Sequence, residues 1–430
     1  MATVEGCFTV AFMNWTAGSA LTGYLLHYGA GPHALALVAS IPALVQLINP
    51  LVAWFSQRLG RRLPFIIVST FLGRSLWLLP VALPFLDLAP PQAVYFLVAV
   101  VAASSLIQSP AGPPWISLMA DAVPERVRGR YFGLRNAIVG VVSQAVGLAG
   151  GALLDRLPEP LGFQVVMAVA VLFAWTGVHL YTRYHEPVVV RPRVGFTDSL
   201  LAPLRDPVFR RFLVFSTYWS ASVWIGSPFV IPYFLKNLQM TYTQIAIWSA
   251  IGSVCALATS PLWGRIADRA GNKSVLAVTT VLAGTVYPFC WMFATPGHLE
   301  LIWFSGFINA LSWGGINAAM FNLAIRIAPP DLRTSYMAVA GGVNGLCGFL
   351  SGLASGPLLD LFLPWETTVF GFPWTGYHWL FLLTALLRST AWLLLRGVTE
   401  PQAWRTRDLL RALRSRSLDY LGRAWPMRSE

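Results

Sequence analysis

The chain is written twice. Residues 53–65 read AWFSQRLGRRLPF and residues 264–276 read GRIADRAGNKSVL. Each is a short basic turn between two long apolar stretches. Each carries Arg, then Gly two positions on, then a second base: Arg58, Gly60, Arg62 and Arg269, Gly271, Lys273. Three further pairs follow. Asp121-x-x-Pro124…Arg128-x-x-Tyr131 is echoed by Pro329…Arg333-x-x-Tyr336, Gly151–Asp155 (GALLD) by Gly356–Asp360 (GPLLD), and Glu186-Pro187 by Glu400-Pro401. The partners stand 205–214 residues apart. Four echoes at nearly one offset imply a duplicated unit of about 200 residues, so the fold must consist of two similar halves.

Composition fixes the solvent of those halves. The chain is 56% hydrophobic and 11% charged, with a mean hydropathy of +0.61. Soluble domains carry roughly 25% charged residues. Apolar runs long enough to cross a hydrocarbon core recur throughout. Twelve are expected, at about residues 7–28, 33–56, 63–87, 92–120, 130–153, 162–183, 211–235, 242–263, 273–295, 300–325, 334–362 and 376–396. The fourth and fifth, and the tenth and eleventh, are separated by a charged turn alone. The expected fold is all-α and integral to the membrane, with twelve transmembrane helices in two pseudo-symmetric six-helix bundles. Residues 1–190 form the first bundle, 191–207 a cytoplasmic linker, 208–398 the second bundle and 399–430 a basic cytoplasmic tail. Duplicated membrane units of this kind are the usual architecture of secondary transporters.

Charge placement gives orientation. Only Arg156 and Lys236 fall in loops after odd-numbered spans, and Arg74 and Arg388 fall inside spans. The other bases lie in or beside the even-numbered loops, the linker and the tail, so both termini are expected in the cytoplasm and the protein in the inner membrane. The net charge of +12 is then a topology signal, and nothing points to nucleic acid. The start lacks the basic region of a cleaved signal peptide, so the first span is expected to remain. The four cysteines are scattered and read as small apolar filler; no metal or cofactor is implied. Phe196, Leu200, Leu201 and Leu204 in the linker, and Leu410, Leu413, Ser417, Tyr420 and Ala424 in the tail, fall on single helical faces. Both segments are expected to rest on anionic lipid.

Twelve spans in two sixes, a basic turn after spans two and eight, and Pro…Arg-Gly after span four resemble the major facilitator superfamily. GRIADRAGNK is similar to its signature turn at Gly264, Asp268, Arg269, Gly271 and Lys273. The first copy departs from it, with Ala53 where Gly is usual and Gln57 where Asp is usual. The resemblance implies a cytoplasmic gate that latches the outward-open state, formed here by Arg58, Gly60, Arg61, Arg62, Asp121, Arg128, Gly264, Asp268, Arg269, Gly271 and Lys273. Gly264 would permit close helix approach and Gly271 a tight turn. It also implies that spans one, four, seven and ten line a substrate cavity. The polar residues so placed are Asn14, Trp15, Gln108, Tyr218, Trp219, Asn309, Trp313 and Asn317, joined by Asn136, Gln144 and Asn344 on spans five and eleven. Each has an alternative reading as an interhelical hydrogen-bonding group.

The acidic residues all map to loops, span ends or tails, which weakens coupling through a buried carboxylate. Arg74 lies about 18 Å into the membrane at 1.5 Å per residue from Arg62. It is either an anion attractor in the cavity or, the preferred reading, a structural charge held by backbone carbonyls and polar side chains. Arg388 is expected to snorkel. A membrane enzyme would need a clustered reactive constellation, and none is present. The expected function is alternating-access transport of a small solute by a monomer, leaning to efflux of amphipathic compounds, with uptake of a sugar or other small polar nutrient as the alternative.

Overall fold

A computed structural model describes residues 1–58, 61–186, 196–329, 332–400, 404 and 408–409. The first six spans are α1 (Ala2–Trp15) with α2 (Gly18–His27), α3 (Pro32–Val45) with α4 (Asn49–Arg58), α5 (Leu63–Ser75) with α6 (Leu78–Ala82), α7 (Pro90–Gln108) with α8 (Gly112–Ala122), α9 (Glu125–Arg156), and α10 (Leu161–Tyr181). The short α11 (Phe196–Arg205) leads to the second six. These are α12 (Pro207–Gly226) with α13 (Val230–Lys236), α14 (Tyr242–Ala270), α15 (Asn272–Met292), α16 (Glu300–Ile327), α17 (Arg333–Phe362), and α18 (Gly376–Thr390), which runs on into a tight turn at Ala391–Gly397. A small hairpin, β1 (Thr367–Val369) with β2 (Phe372–Trp374), precedes α18 and has no counterpart in the sequence-based expectation.

Nine spans are long and apolar enough to cross a bilayer among the described residues. The exceptions are the first, seventh and tenth. The first breaks between Trp15 and Gly18, where Gly18 takes a φ of +55°. The seventh breaks at the 3-10 turn Ser227–Phe229, which contains Pro228. The tenth is unbroken but carries Asn309, Asn317 and Asn322. Breaks and amides are tolerated at membrane depth where they face a cavity or other helices rather than lipid. Span four also breaks where its prolines predict, at the turn Ser109–Ala111. Span one starts at Ala2 rather than near residue 7, which draws Glu5 into the helix.

The two ends of the molecule are built differently. At the end remote from Ala2 and Val398, one apolar core joins both halves: Tyr24, Phe163 and Leu97 from the first, Phe229, Tyr233, Trp291 and Phe381 from the second. At the end carrying Ala2 and Val398, each half keeps its own core. One centres on Phe209, Trp263 and Leu323, the other on Ile66, Leu118 and Tyr181. Across the halves α3 runs along α17 and α9 along α14. Glycines permit this. A Cβ at Gly356 would stand 3.0 Å from the His33 Cα, and one at Gly151 would stand 2.8 Å from the Tyr242 carbonyl oxygen.

The repeated Glu-Pro has a structural meaning in each half. Glu186 accepts from the Arg62 and Leu63 backbone N–H groups at the start of α5. Glu400 accepts from the Asn272 and Lys273 N–H groups at the start of α15, at 3.2 and 2.8 Å, and from Arg326 at 3.1 Å. Each carboxylate therefore caps the helix that follows the basic turn, satisfying donors that no helix can satisfy for itself. We expect Glu400→Ala to cost on the order of 1–3 kcal/mol, the penalty for buried donors left without partners. The check is the melting temperature of purified protein, which should fall for Glu400→Ala and be spared by a substitution at exposed Glu366.

Candidate functional site

A cavity of about 440 Å³ lies between spans one, two, three, four and seven. Phe12, Trp77 and Trp224 give it flat apolar walls; Thr16, Ser104 and Gln108 give it hydroxyls and an amide. A smaller cavity of about 160 Å³ beside it is lined by Asn14, Trp15, Gln144 and Trp248. The polar wall of the larger one is fixed by its own bonds. Trp77 Nε1 donates to Ser104 Oγ at 2.9 Å, and Gln108 Nε2 donates to the same oxygen at 2.7 Å. Behind Gln108 stands Arg74, whose Nε donates to Gln108 Oε1 at 3.4 Å and whose guanidinium lies 5.4 Å from the Phe12 ring centre. Arg74 is 5% exposed and does not line the cavity. It is bonded to the Gln108 side chain and stands one residue removed from the cavity wall.

Of the other predicted cavity residues, Asn14 donates to Ser143 Oγ at 2.9 Å and Trp15 to the Val146 carbonyl at 2.8 Å. Gln144 reaches across the halves to Ser253 Oγ at 2.9 Å. Asn344 accepts from Ser216 and Thr217. Asn309 packs beside Gly252. Trp219 is buried against Trp313 in the second half's own core, so this pair does not form cavity wall. Tyr218 bonds Thr390, Asn136 accepts from Arg135, and Asn317 is exposed.

The predicted gate residues tie elements within a half rather than across the halves. Buried Arg62 donates to Asp121 Oδ2 at 2.6 Å and to Ser117 Oγ at 2.8 Å. Arg128 donates to the Val123 carbonyl, and Lys273 Nζ to the Val398 carbonyl at 2.7 Å. Arg61 and Asp268 are exposed and Arg269 is half-buried. Asp268 makes no ion pair among the described residues. Gly271 takes a φ of +85°, as a tight turn requires. Gly264 is a correction: a Cβ there would meet nothing within 4 Å, so no close helix approach depends on it here. Gly60, the Arg58 side chain and the tail face from Leu410 to Ala424 lie outside the described residues.

Two features escaped the sequence reading. Arg388 does not snorkel: it is 1% exposed and donates to the Val223 carbonyl at 3.2 Å. Glu5 is also 1% exposed, although it stands in the first turn of α1. Its depth follows from the early start of α1 and from Tyr181, which donates to Glu5 Oε1 at 2.7 Å.

The closed end is held by the third echo. Asp155, at the end of α9, accepts from the Tyr242 and Thr243 N–H groups at 2.8 and 2.9 Å and so caps α14 of the other half. Asp360, at the end of α17, pairs with His33 at the start of α3, Nε2 to Oδ2 2.9 Å. The duplicated aspartates thus close the same end from opposite halves.

A family model described as Major Facilitator Superfamily matches residues 6–352 and 212–425. No curated protein matches the chain in sequence. Among solved structures, the nucleoside transporter NupG is 13% identical with a TM-score of 0.70, covering 92% of this chain and 98% of its own. A D-xylose–proton symporter is 14% identical at 0.69, covering 93% and 97%. An inward-facing, occupied bacterial homolog of the human lysosomal transporter Spinster is 15% identical at 0.68, covering 94% and 97%. At such identities these likenesses establish the fold alone.

If the two aspartates hold the closed end, Asp155→Ala with Asp360→Ala should open it. Losing a helix cap costs about 0.5–2 kcal/mol, a population shift of about two- to thirtyfold. In a background free of native cysteines, Thr22→Cys should then be alkylated correspondingly faster by an impermeant maleimide added on that side. Equal rates in both backgrounds would reduce the aspartates to helix caps.

Proposed function

We propose a solute class and a working cycle from one premise: the chain belongs to the major facilitator superfamily, and is a multi-pass membrane transporter rather than an enzyme. The solute is small and neutral, with hydroxyl or amide groups on one side and a flat or apolar face on the other. The observation that carries this is the larger cavity, where the Ser104–Gln108 side opposes Phe12, Trp77 and Trp224 and no charged side chain stands in the wall. A wall of this kind bonds polar groups and packs an apolar face, but offers nothing to neutralise an ion. Nucleosides and sugars, which NupG and the xylose symporter carry by name, have this character.

The basic end faces the cytoplasm on this reading, because positive residues stay inside. The state described is then closed outward by Asp155 and Asp360 and by the shared core, with the two cytoplasmic cores apart. Asp268 and Arg269, without a partner across the halves among the described residues, would act when the cytoplasmic end closes. Efflux of amphipathic compounds is a second reading, favoured by the aromatic wall.

A thermal-shift panel separates the two. Uridine, D-xylose and tetraphenylphosphonium are each added to protein in lipid nanodiscs. Saturation a hundredfold above Kd stabilises a folded protein by about 2.7 kcal/mol. Uridine or D-xylose should raise the melting temperature by a few degrees, and Gln108→Ala should remove the rise. Stabilisation by the lipophilic cation alone would transfer the assignment to amphipathic efflux.

A further inference from the structure

The second half carries a piece that the first half lacks. The echoes stand 205 residues apart at Asp155 and Asp360 but 214 apart at Glu186 and Glu400, so nine residues enter between them. Four residues, 157–160, join α9 to α10, whereas thirteen, 363–375, join α17 to α18 and contain the hairpin β1–β2. An element present in one half only is no part of what the duplication repeats. The hairpin holds its tip still and exposes it. Val369, Phe372 and Trp374 share one face, which packs on the core of the closed end. Phe293, just past the end of α15, meets the Phe372 and Trp374 rings edge-on at 5.4 and 6.0 Å. The turn consists of Phe370 and Gly371, with φ of +51° and +84°. A two-residue turn of this kind selects Asn-Gly or Gly-Gly, because a bulky side chain is strained at positive φ. Phenylalanine stands there instead, and at 87% it is the most exposed large hydrophobic side chain among the described residues. A strained side chain that also gives up its burial points to a contact beyond the protein.

Continuity identifies that contact. Phe289 is 56% exposed on the membrane-spanning α15 and lines neither cavity, so it faces lipid. Its ring centre stands 4.6 Å from that of Phe293, which in turn stands 6.5 Å from that of Phe370. The three rings form a row from the lipid-facing side of α15 to the hairpin tip. We propose that the hairpin is an interfacial anchor of the second half, with Phe370 set among the headgroups and outer acyl carbons of the bilayer at the closed end. Apolar and aromatic side chains of interfacial elements sit at that boundary. The attraction is apolar rather than electrostatic, because residues 363–375 hold no Lys or Arg and one acid, Glu366. The anchor therefore takes zwitterionic lipid and needs no anionic headgroup. Burial in lipid offsets the strain at Phe370, and the connection from α17 to α18 is held at the depth of the interface.

The test uses the full chain in phosphatidylcholine vesicles. In a background free of native cysteines, a nitroxide is attached at F370C or, as a reference, at E300C, where the native side chain stands 79% exposed at the start of α16. Collisions with oxygen, which enters lipid, should exceed those with a water-soluble nickel chelate at position 370, and the order should reverse at position 300. A nickel excess at position 370 overturns the anchor. Spin–spin broadening there that vanishes when labelled chains are diluted with unlabelled ones assigns the tip to a second copy and also overturns it. The second arm leaves Phe370 in place. The wild-type chain is irradiated in vesicles of phosphatidylcholine carrying a diazirine near the carbonyl end of one acyl chain, and the adducts are located by mass spectrometry. Residues 363–375 should be labelled. F370N, which suits the turn and so keeps the fold, should lose that label while the segment bearing Phe289 keeps its own. A hairpin left unlabelled in the wild type, or labelled equally in F370N, overturns the proposal.

Discussion

A helix that begins at a bilayer interface presents N–H groups that nothing within it can satisfy, and this chain answers with carboxylates borrowed from elsewhere. Glu186 caps α5, Glu400 caps α15, and Asp155 caps α14 of the opposite half. Asp360 stands at the start of α3 through His33. With only 18 acidic residues in the chain, these four fix how neighbouring elements meet. They also explain the duplication. The basic turn and the Glu-Pro are a target and its cap within one half; the aspartate of GALLD or GPLLD is a tie to the other half. The first kind holds each bundle rigid, and the second closes one end of the space between them.

Rigid bundles and one breakable contact are what a rocking carrier needs. The shared core at the closed end is apolar and large, and the helices crossing there approach closely along glycines. α17 brings Gly345, Gly348, Gly352 and Gly356 against the first half or the Trp224 side chain, while Gly341 faces open space. The approach slackens along the helix, from a Cβ that would collide with the Ala43 carbonyl at Gly345 to one 3.8 Å from Leu47 at Gly342.

The duplication, the spans and the fold class are legible in sequence because they depend on composition and periodicity, which act locally. The break in span four is legible from Pro110, Pro113 and Pro114, and the turn at Gly271 from its glycine. The site is less so. Gln108 can be chosen as a polar residue on span four, but nothing in sequence separates it from Trp219, which turns into its own bundle's core. Arg388 looks able to snorkel because Arg396 lies two turns away; packing of α18 against α12 and α15 puts it inside instead. Glu5 reads in sequence as a residue at a span's edge. Depth in a bundle depends on which helices surround a residue, and that information is tertiary.

Two of the buried arginines, Arg74 and Arg388, show how a duplicated fold can keep a layer while changing its chemistry. Gly177 lies beside Arg74, with its would-be Cβ 3.6 Å from Arg74 Nη1, and Gly284 lies beside Arg388, 2.9 Å from the Arg388 Cβ. Position 74 corresponds to 284 and 177 to 388, offsets of 210 and 211. Each half therefore pairs one arginine with one glycine between its third and sixth spans, but the arginine has changed sides. At Gly284 the glycine is required, because an added Cβ would collide with the Arg388 backbone and Cβ, whereas at Gly177 it would meet Arg74 only in ordinary contact. The surroundings then diverge. In the second half Arg388 faces the Val223 carbonyl and Tyr287. In the first, Arg74 stands between a carboxylic acid and the amide wall of the cavity. Only the first arrangement sets a carboxylic acid beside the arginine, so the two halves keep the same layer with different chemistry.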